Sequence, residues 1–467
     1  MDKYLGNKRA LLDSIHTAVT SHAPRAKSIC DVFAGTTNVG RHFRQRGFDV
    51  ISNDCNRFSF VLGVAYLCLR AWPDFDRIEC VGKPSAGTIE RLHQTFLAAA
   101  RRDAGQTFPE DRAQDSWNNL KPYWHIIAYL NELPPVTGGY IFENFTLWGK
   151  KSKFLSVRGT EGKRNYFSKE NAERLDAILT TIRAWWDEGR LTETEVHLLM
   201  ASVLEEVTIV ANVNGTFHDF NRDRLWPNSL QSLHLRIPLI APSATSSQAN
   251  CADALAVGER LANYEILYLD PPYNFRQYTA YYHLLNFIAA YPFLPDIESY
   301  LAKLEFVRGQ NMEDDFASDF CFRDRFVDAL GELIDSMPCK YVCMSYYGGR
   351  NHWNHWSHKN RPTDEGILTL GDFFGDSGRF RGCEVFPALQ VRRNYQSRVG
   401  EKKEFVDEHF FFAEKRSRAR LAQTRNTDPI LQINEKLGLG RFHSYATGRF
   451  QNPLPGFLSN KTAAYVA

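Results

Sequence analysis

A chain of 467 residues, 43% hydrophobic and 24% charged, has the make-up of a globular protein able to bury more than one core. A formal net charge of +2 excludes a strongly basic protein, so a nucleic-acid surface would need local clusters of Lys and Arg. No apolar run reaches the roughly eighteen residues of a membrane span, no apolar segment follows a basic start, and the nine Cys lack zinc-site spacing. The expectation is a cytoplasmic protein with reduced thiols, no membrane contact and no metal.

The chain starts with a Gly-containing loop, Tyr4 to Arg9, and an amphipathic helix with Leu11, Leu12 and Ile15 on one face. Alone, this loop reads more readily as ordinary surface with a solvated Lys8. Ile29 to Phe33 read as a strand, and Gly35 opens a tight turn. Asn38 is a candidate cap for a helix to about Gln45, which Gly47 ends. A second strand, Phe48 to Ser52, runs into Asn53-Asp54. This is the layout of a Rossmann-type βαβ unit, whose turn admits a nucleoside and whose acid holds ribose hydroxyls. The GxGxxG fingerprint is missing, which argues against NAD or FAD. A nucleoside ligand without phosphates, such as S-adenosylmethionine, fits better; a structural βαβ unit without ligand is the alternative.

A helix is predicted from Arg57 to Arg70. Regularity then declines, and 141–145 read as a possible strand. Lys150, Lys151 and Lys153 form one basic cluster, and Lys163 and Arg164 a second, with Phe154, Tyr166 and Phe167 beside them. Basic residues interleaved with rings suit a surface that tracks a nucleic-acid backbone; a solvated loop is the other reading. Ser168 caps a long helix whose Trp185-Trp186 pair reads as packing core. Gly189 breaks it, and a second helix follows from Glu193 to Val207. Residues 211–218 read as a polar loop and 238–250 as a loop returning the chain to the sheet. Asp253 either caps a helix from Ala254 to Ala262 or accepts a hydrogen bond from an adenine amino group.

Ile266 to Leu269 read as a buried parallel strand that ends in Asp270-Pro271-Pro272-Tyr273. Neither proline can continue the ladder, and both fix their own φ angles. The result is an acid at the carboxyl end of a strand, a stiff elbow and a presented ring. These suit a planar substrate with an amino group, such as a nucleobase. Further on, Tyr281 to Leu285 and Phe322 to Met337 read as helices, and Lys340 to Gly349 as a strand with a glycine turn. Leu368 to Phe374 form a short element. Arg392 to Phe412 read as a terminal hairpin with a basic tip, and the last fifty or so residues as less regular.

In this order the motifs resemble those of the Dam-like (α-group) N6-adenine DNA methyltransferases. Tyr4-Leu-Gly-Asn-Lys8 is similar to the family's N-terminal motif, Phe33-Ala-Gly35 to its glycine loop, and Asn53-Asp54 to its acidic strand end. Asp253 lies where the next acid is expected, and Asp270-Pro-Pro-Tyr273 is similar to the catalytic motif. Thr37 stands where the family commonly has a second Gly. The resemblance implies an α/β fold: a Rossmann-like class I methyltransferase sheet with an inserted, largely helical target-recognition domain. The catalytic domain would comprise residues 1–74 and 246–415, the insert 75–245, and a C-terminal extension 416–467. It further implies S-adenosylmethionine as cofactor, held by Tyr4, Lys8, Phe33, Ala34, Gly35, Thr36, Asp54 and Asp253. Asp270, Pro271, Pro272 and Tyr273 would act on an adenine flipped from double-stranded DNA. Arg276, Tyr278, Lys150, Lys151, Lys153, Lys163 and Arg164 would bind DNA. A cognate restriction endonuclease acting on the same site is the implied partner. An RNA adenine methyltransferase and a catalytically silent DNA-binding subunit are the alternatives.

Overall fold

The computed structural model describes residues 7–78, 82–348, 351–353, 365–393, 403–416 and 427–451. Eight strands form one sheet: β1 (Ser28–Asp31), β2 (Asp49–Asp54), β3 (Ser247–Cys251), β4 (Ile266–Leu269), β5 (Tyr341–Tyr347), β6 (Phe380–Arg393), β7 (Lys403–Lys415) and β8 (Ser444–Thr447). Their order across the sheet is β6-β7-β5-β4-β1-β2-β3-β8. The five central strands are parallel, while β7 runs antiparallel between β5 and β6 and β8 runs antiparallel to β3. After β3 the chain crosses to the other side of β1. The strand order therefore reverses between β1 and β4, where open α/β sheets bind ligands. The register Asp31↔Tyr268 brings the ends of these two strands level.

β1 and β4 are buried throughout, as strands covered on both faces must be. Helix α1 (Leu12–His22) precedes β1, α2 (Asn38–Gln45) connects β1 to β2, and α3 (Arg57–Leu67) follows β2. All residues of α3 are buried, because it lies between the sheet and the inserted helices. Gly63 permits that approach: a Cβ there would stand 2.9 Å from the Ala249 Cβ. The insert is mainly helical, as expected, and includes the helices Ala86–Asp103, Lys169–Asp187 and Glu193–Val210. Its apolar residues continue the core around α3.

Several local expectations are corrected. Residues Tyr140–Phe145 are a helix rather than a strand, because Asp176 accepts from the Ile141 and Phe142 amides (2.8 and 2.9 Å) and caps the first turn from a distant segment. Ser247–Asn250 belong to β3 rather than to a loop. Inside the sheet Gln248 donates to Asn250 (2.9 Å) and Asn250 to the Ser52 carbonyl (3.1 Å), so the two amide side chains are hydrogen-bonded. No α-helix spans 254–262; the Asp253 carboxylate accepts from Leu255 N (3.3 Å), a turn geometry that competes with helix, and a 3-10 turn at Gly258–Arg260 follows. The first strand ends at Asp31 rather than Phe33, and Thr37, not Asn38, is the cap position of α2. The expected breaks at Gly47 and Gly189 have φ +83° and +69°. The terminal hairpin is β6 and β7, and its tip lies outside the described residues. Beyond residue 415 the extension is more regular than expected: it forms the helix Pro429–Lys436 and edge strand β8.

Candidate active site

A cleft of about 900 Å³, its open mouth included, lies over the carboxyl ends of β1, β2 and β4. Its first wall is the turn after β1. Ala34 N donates to the Asn53 carbonyl (2.9 Å), Gly35 N to Asp54 Oδ2 (2.8 Å) and Thr37 N to the Ala34 carbonyl (2.7 Å). Gly35 has φ +48° and Thr37 φ +60°. Thr37 thus takes the left-handed conformation that a glycine would adopt more easily. It is fully buried, and its hydroxyl donates to the Thr36 carbonyl (2.7 Å). Asp54 Oδ1 accepts from both the backbone and side-chain nitrogens of Asn56 (2.9 and 2.8 Å). Burial raises the Asp54 carboxyl above its ordinary value, and the bonds from Asn56 and Gly35 oppose that rise.

The second wall is the elbow after β4. Tyr273 packs its ring against Tyr347 of β5, with centroids 5.1 Å apart and planes at 43°. Lys8 reaches in from the N-terminal loop. Its Nζ lies 2.9 Å from Asp270 Oδ1 and 2.5 Å from Glu408 Oε1 of β7. The same Glu408 oxygen accepts the Ser345 hydroxyl of β5. Burial alone would lower the Lys8 pKa, but the charges of Asp270 and Glu408 outweigh it and raise it. Lys8 is therefore a buried ammonium between two carboxylates. Asp31, at the end of β1, is buried, and its Oδ1 finds no hydrogen-bond partner among the described residues. Burial, and then the charges of Asp270 and Asp54, push its carboxyl well above the ordinary range.

A third wall joins two segments. The Thr279 hydroxyl donates to the Phe316 carbonyl (2.9 Å), Ser318 N donates to Gln277 Oε1 (2.9 Å), and Phe320 packs edge-on against Phe33 at 5.0 Å.

The structure brings Lys8, Phe33, Ala34, Gly35, Thr36, Asp54, Asp253, Asp270, Pro271, Pro272, Tyr273 and Tyr278 into this one cleft. Tyr4 lies outside the described residues. Arg276 stands beside the cleft with its guanidinium over the Tyr281 ring, 5.6 Å from the centroid. The basic clusters meet on a hairpin that pairs Lys153 with Lys163. Lys150, Lys151 and Lys153 are exposed, and Lys151 is 2.9 Å from Glu298. Arg164 departs from the surface reading: it is 4% exposed and donates to the carbonyls of Val307, Phe306 and Lys151 (3.2, 3.3 and 3.4 Å). It ties two loops together. Tyr166 and Phe167 are likewise buried, so their rings offer no stacking surface. Asp31, Ser345, Tyr347, Phe316 and Glu408 were not singled out by the sequence reading. Asp31 carried a legible signal, an acid at a strand end directly before the glycine turn. Glu408 carried none, standing 400 residues from the lysine it holds. Among the described residues, no cluster of His, Cys, Asp or Glu has metal-site geometry, and no helix is long and apolar enough to cross a membrane.

The reversed strand order, the glycine turn after β1 and the acid-proline elbow after β4 define a Rossmann-like methyltransferase fold. The chain belongs to the D12 class N6 adenine-specific DNA methyltransferases, which match residues 4–101 and 124–305. It is 28% identical over 347 residues to Type II methyltransferase M.NlaIII of Neisseria lactamica, covering 73% of this chain and 82% of that protein. It is 27% identical over 346 residues to Type II methyltransferase M.FokI of Planomicrobium okeanokoites, covering 74% and 44%. Modification methylase StsI of Streptococcus sanguinis is 25% identical over 419 residues, covering 89% and 52%. The chain thus spans about half the length of the last two relatives. No solved structure matches it. The protein is an adenine-specific DNA methyltransferase, and its reaction needs a methyl donor.

Proposed function

We propose that the donor is S-adenosylmethionine and the acceptor is N6 of an adenine flipped out of duplex DNA. The observation that carries this reading is the ion pair of Lys8 with Asp270: the carboxylate at the end of β4 already engages a nitrogen donor inside the cleft, at 2.9 Å. An exocyclic amino group presents the same N–H chemistry. The donor set of the cleft fits the cofactor. Asp31 offers a buried carboxyl oxygen, without a partner among the described residues, suited to an ammonium group. Asp54 stands at the strand end suited to ribose hydroxyls, and Asp253 faces the cleft where an adenine amino group would need an acceptor. When bound, the cofactor supplies a methyl group on a positively charged sulfur, open to direct displacement.

Adenine N6 is a weak nucleophile, because its lone pair is delocalised into the ring. Asp270 accepts one hydrogen bond from the amino group, and the Pro271 carbonyl accepts a second. These acceptors draw the nitrogen toward tetrahedral geometry and stabilise the positive charge that grows on it. Tyr273, braced by Tyr347, stacks on the base. Glu408 retains Lys8 when the amino group takes its place on Asp270. The insert, residues 75–245, recognises the target, and Lys150, Lys151, Lys153 and Lys163 meet phosphates.

The relatives named as Type II methyltransferases and modification methylases support a role as the modification enzyme of a restriction-modification system, with an endonuclease acting on the same site. Asp270→Ala is the direct test. Transfer of labelled methyl to adenine in duplex DNA should fall at least about 1000-fold, while donor affinity stays within a few-fold. Retained transfer would overturn the catalytic role of Asp270. Mapping the methylated base on DNA exposed to the wild-type protein identifies the recognised sequence.

A further inference from the structure

The D12 match ends at residue 305, yet residues 427–451 pack directly behind the cleft. Strand β8 pairs with β3, and Cys251 N donates to the His443 carbonyl (3.0 Å). Two cleft residues later stands Asp253. Its backbone N–H donates to Asp428 Oδ1 at 3.3 Å. Asp428 is 5% exposed, caps the helix Pro429–Lys436 through Ile430 N (2.9 Å) and Leu431 N (3.4 Å), and its Oδ2 lies 2.9 Å from Arg260 Nη1. One carboxylate thus ties together the C-terminal helix, the loop between β3 and β4, and the backbone of Asp253.

The same helix grips the opposite wall. Asn434, 1% exposed, accepts from Arg57 Nε (2.7 Å) and donates to the Phe442 carbonyl (2.8 Å). Arg57 Nη1 in turn lies 2.9 Å from Asp314 Oδ2, which also accepts the Tyr300 hydroxyl (2.5 Å). Asp314 directly precedes the stretch that puts Phe316 and Ser318 into the cleft. On the outer side, Lys436 Nζ lies 3.2 Å from Glu313. The helix Pro429–Lys436 therefore bridges the Asp253 wall and the Phe316 wall.

We infer that Asp428 is a positioning residue for methyl-donor binding: through its bond to the Asp253 backbone and its ion pair with Arg260, it holds the adenine-side wall of the donor site. This inference rests on the reading of Asp253 as a donor-binding residue. Removing a charge-assisted bond of this kind takes an acceptor away from a buried amide and lets the loop relax. A rigid wall matters most for binding a ligand that itself contributes few contacts at that end.

The test uses the full chain and equilibrium binding of S-adenosylmethionine. Asp428→Ala should raise the Kd and KM for the donor about tenfold. The kcat at saturating donor and the Kd for duplex DNA should stay within about twofold. Asp428→Asn, which keeps an acceptor oxygen, should recover most of the loss. Should Asp428→Ala not fold, Arg260→Met removes the ion pair and leaves the helix cap intact, with an expected weakening of about threefold. Asp253→Asn serves as the reference. Donor affinity lost in Asp253→Asn but unchanged in the folded Asp428 or Arg260 variants would overturn this inference alone. Donor affinity unchanged in Asp253→Asn would overturn the reading of Asp253 and this inference with it. A parallel fall in kcat, donor affinity and DNA affinity would also overturn it, since that marks a merely structural role.

Discussion

Lys8 and Lys150 carry the same side chain into opposite settings. Lys8 is buried and lies between Asp270 of the β4 elbow and Glu408 of β7, with Ser345 of β5 on the same Glu408 oxygen. Lys150 is exposed on a basic hairpin with Lys151 and Lys153 close by in sequence. In the cleft, each charge must be answered within a few ångströms, because desolvation penalises any ion left alone. On the hairpin, water reaches each charge, and position is free to vary even where Lys151 meets Glu298. The cleft is thus a site whose charges come from remote segments and hold one geometry. The hairpin is a field whose charges add nearly independently.

The largest expected effect breaks the first half of that contrast. Lys8→Met removes the ammonium that Asp270 and Glu408 both contact, and loss of that nearby positive charge favours the protonated, inactive form of Asp270. Methyl transfer at pH 7 should fall on the order of 100-fold and recover as the pH rises and Asp270 ionises. Unfolding in urea should show a loss of about 3 kcal/mol, since a buried charge cluster has lost one partner. A pH-independent loss of rate would mean that Lys8 acts by some route other than the charge of Asp270.

The second half predicts additivity. Replacing Lys150, Lys151 and Lys153 by Ala should weaken DNA binding and lower the slope of log K against log salt by up to about 0.9 for each phosphate contact removed. The melting temperature should hardly change. An unchanged salt slope would remove this hairpin from the DNA surface. Lys151 should contribute least of the three, because its ammonium is already 2.9 Å from Glu298.

A smaller effect sharpens the rule that burial demands a partner. His197 is fully buried among Phe60, Phe293 and Phe442, and neither ring nitrogen has a partner among the described residues. Burial, helped by the Arg441 charge, lowers its pKa to about 3. The unfolded chain takes up this proton near pH 6.5 and the folded one does not. The stability that neutral His197 allows is therefore complete above pH 6.5 and declines as the pH falls toward 3, by up to about 1.4 kcal/mol per pH unit. His197→Leu should gain about 1 kcal/mol at pH 7 and lose less between pH 7 and pH 5, read by urea unfolding at both values. Identical acid sensitivity in the two proteins would assign the effect to other buried histidines, such as His283, whose pKa burial also lowers to about 3.

Much of the catalytic half was legible before any fold was known. Strand, glycine turn, helix, strand and acid lie within a short span around Gly35 and Asp54, where local sterics and apolar runs govern structure. Asp270 to Tyr273 declare themselves because two prolines after an apolar run can only end a strand. Where the reading failed, a distant group had overruled the local signal. Tyr140–Phe145 became helix because Asp176 caps it, and Ser247–Asn250 became a buried strand in which the Gln248 and Asn250 amides are hydrogen-bonded within the sheet. Arg164 left the expected DNA surface because three backbone carbonyls needed a donor.

The sequence by itself determined the glycine turn after β1, the acid-proline elbow after β4 and the largely helical character of the insert, since each is written in neighbouring residues and their period. Only the tertiary structure decided that Lys8 pairs with Glu408, that Asp31 has an oxygen without a partner among the described residues, and that the C-terminal helix packs on Asp253. The physical reason is that burial makes a charge depend on whatever stands within a few ångströms, and a folded chain brings those neighbours from hundreds of residues away.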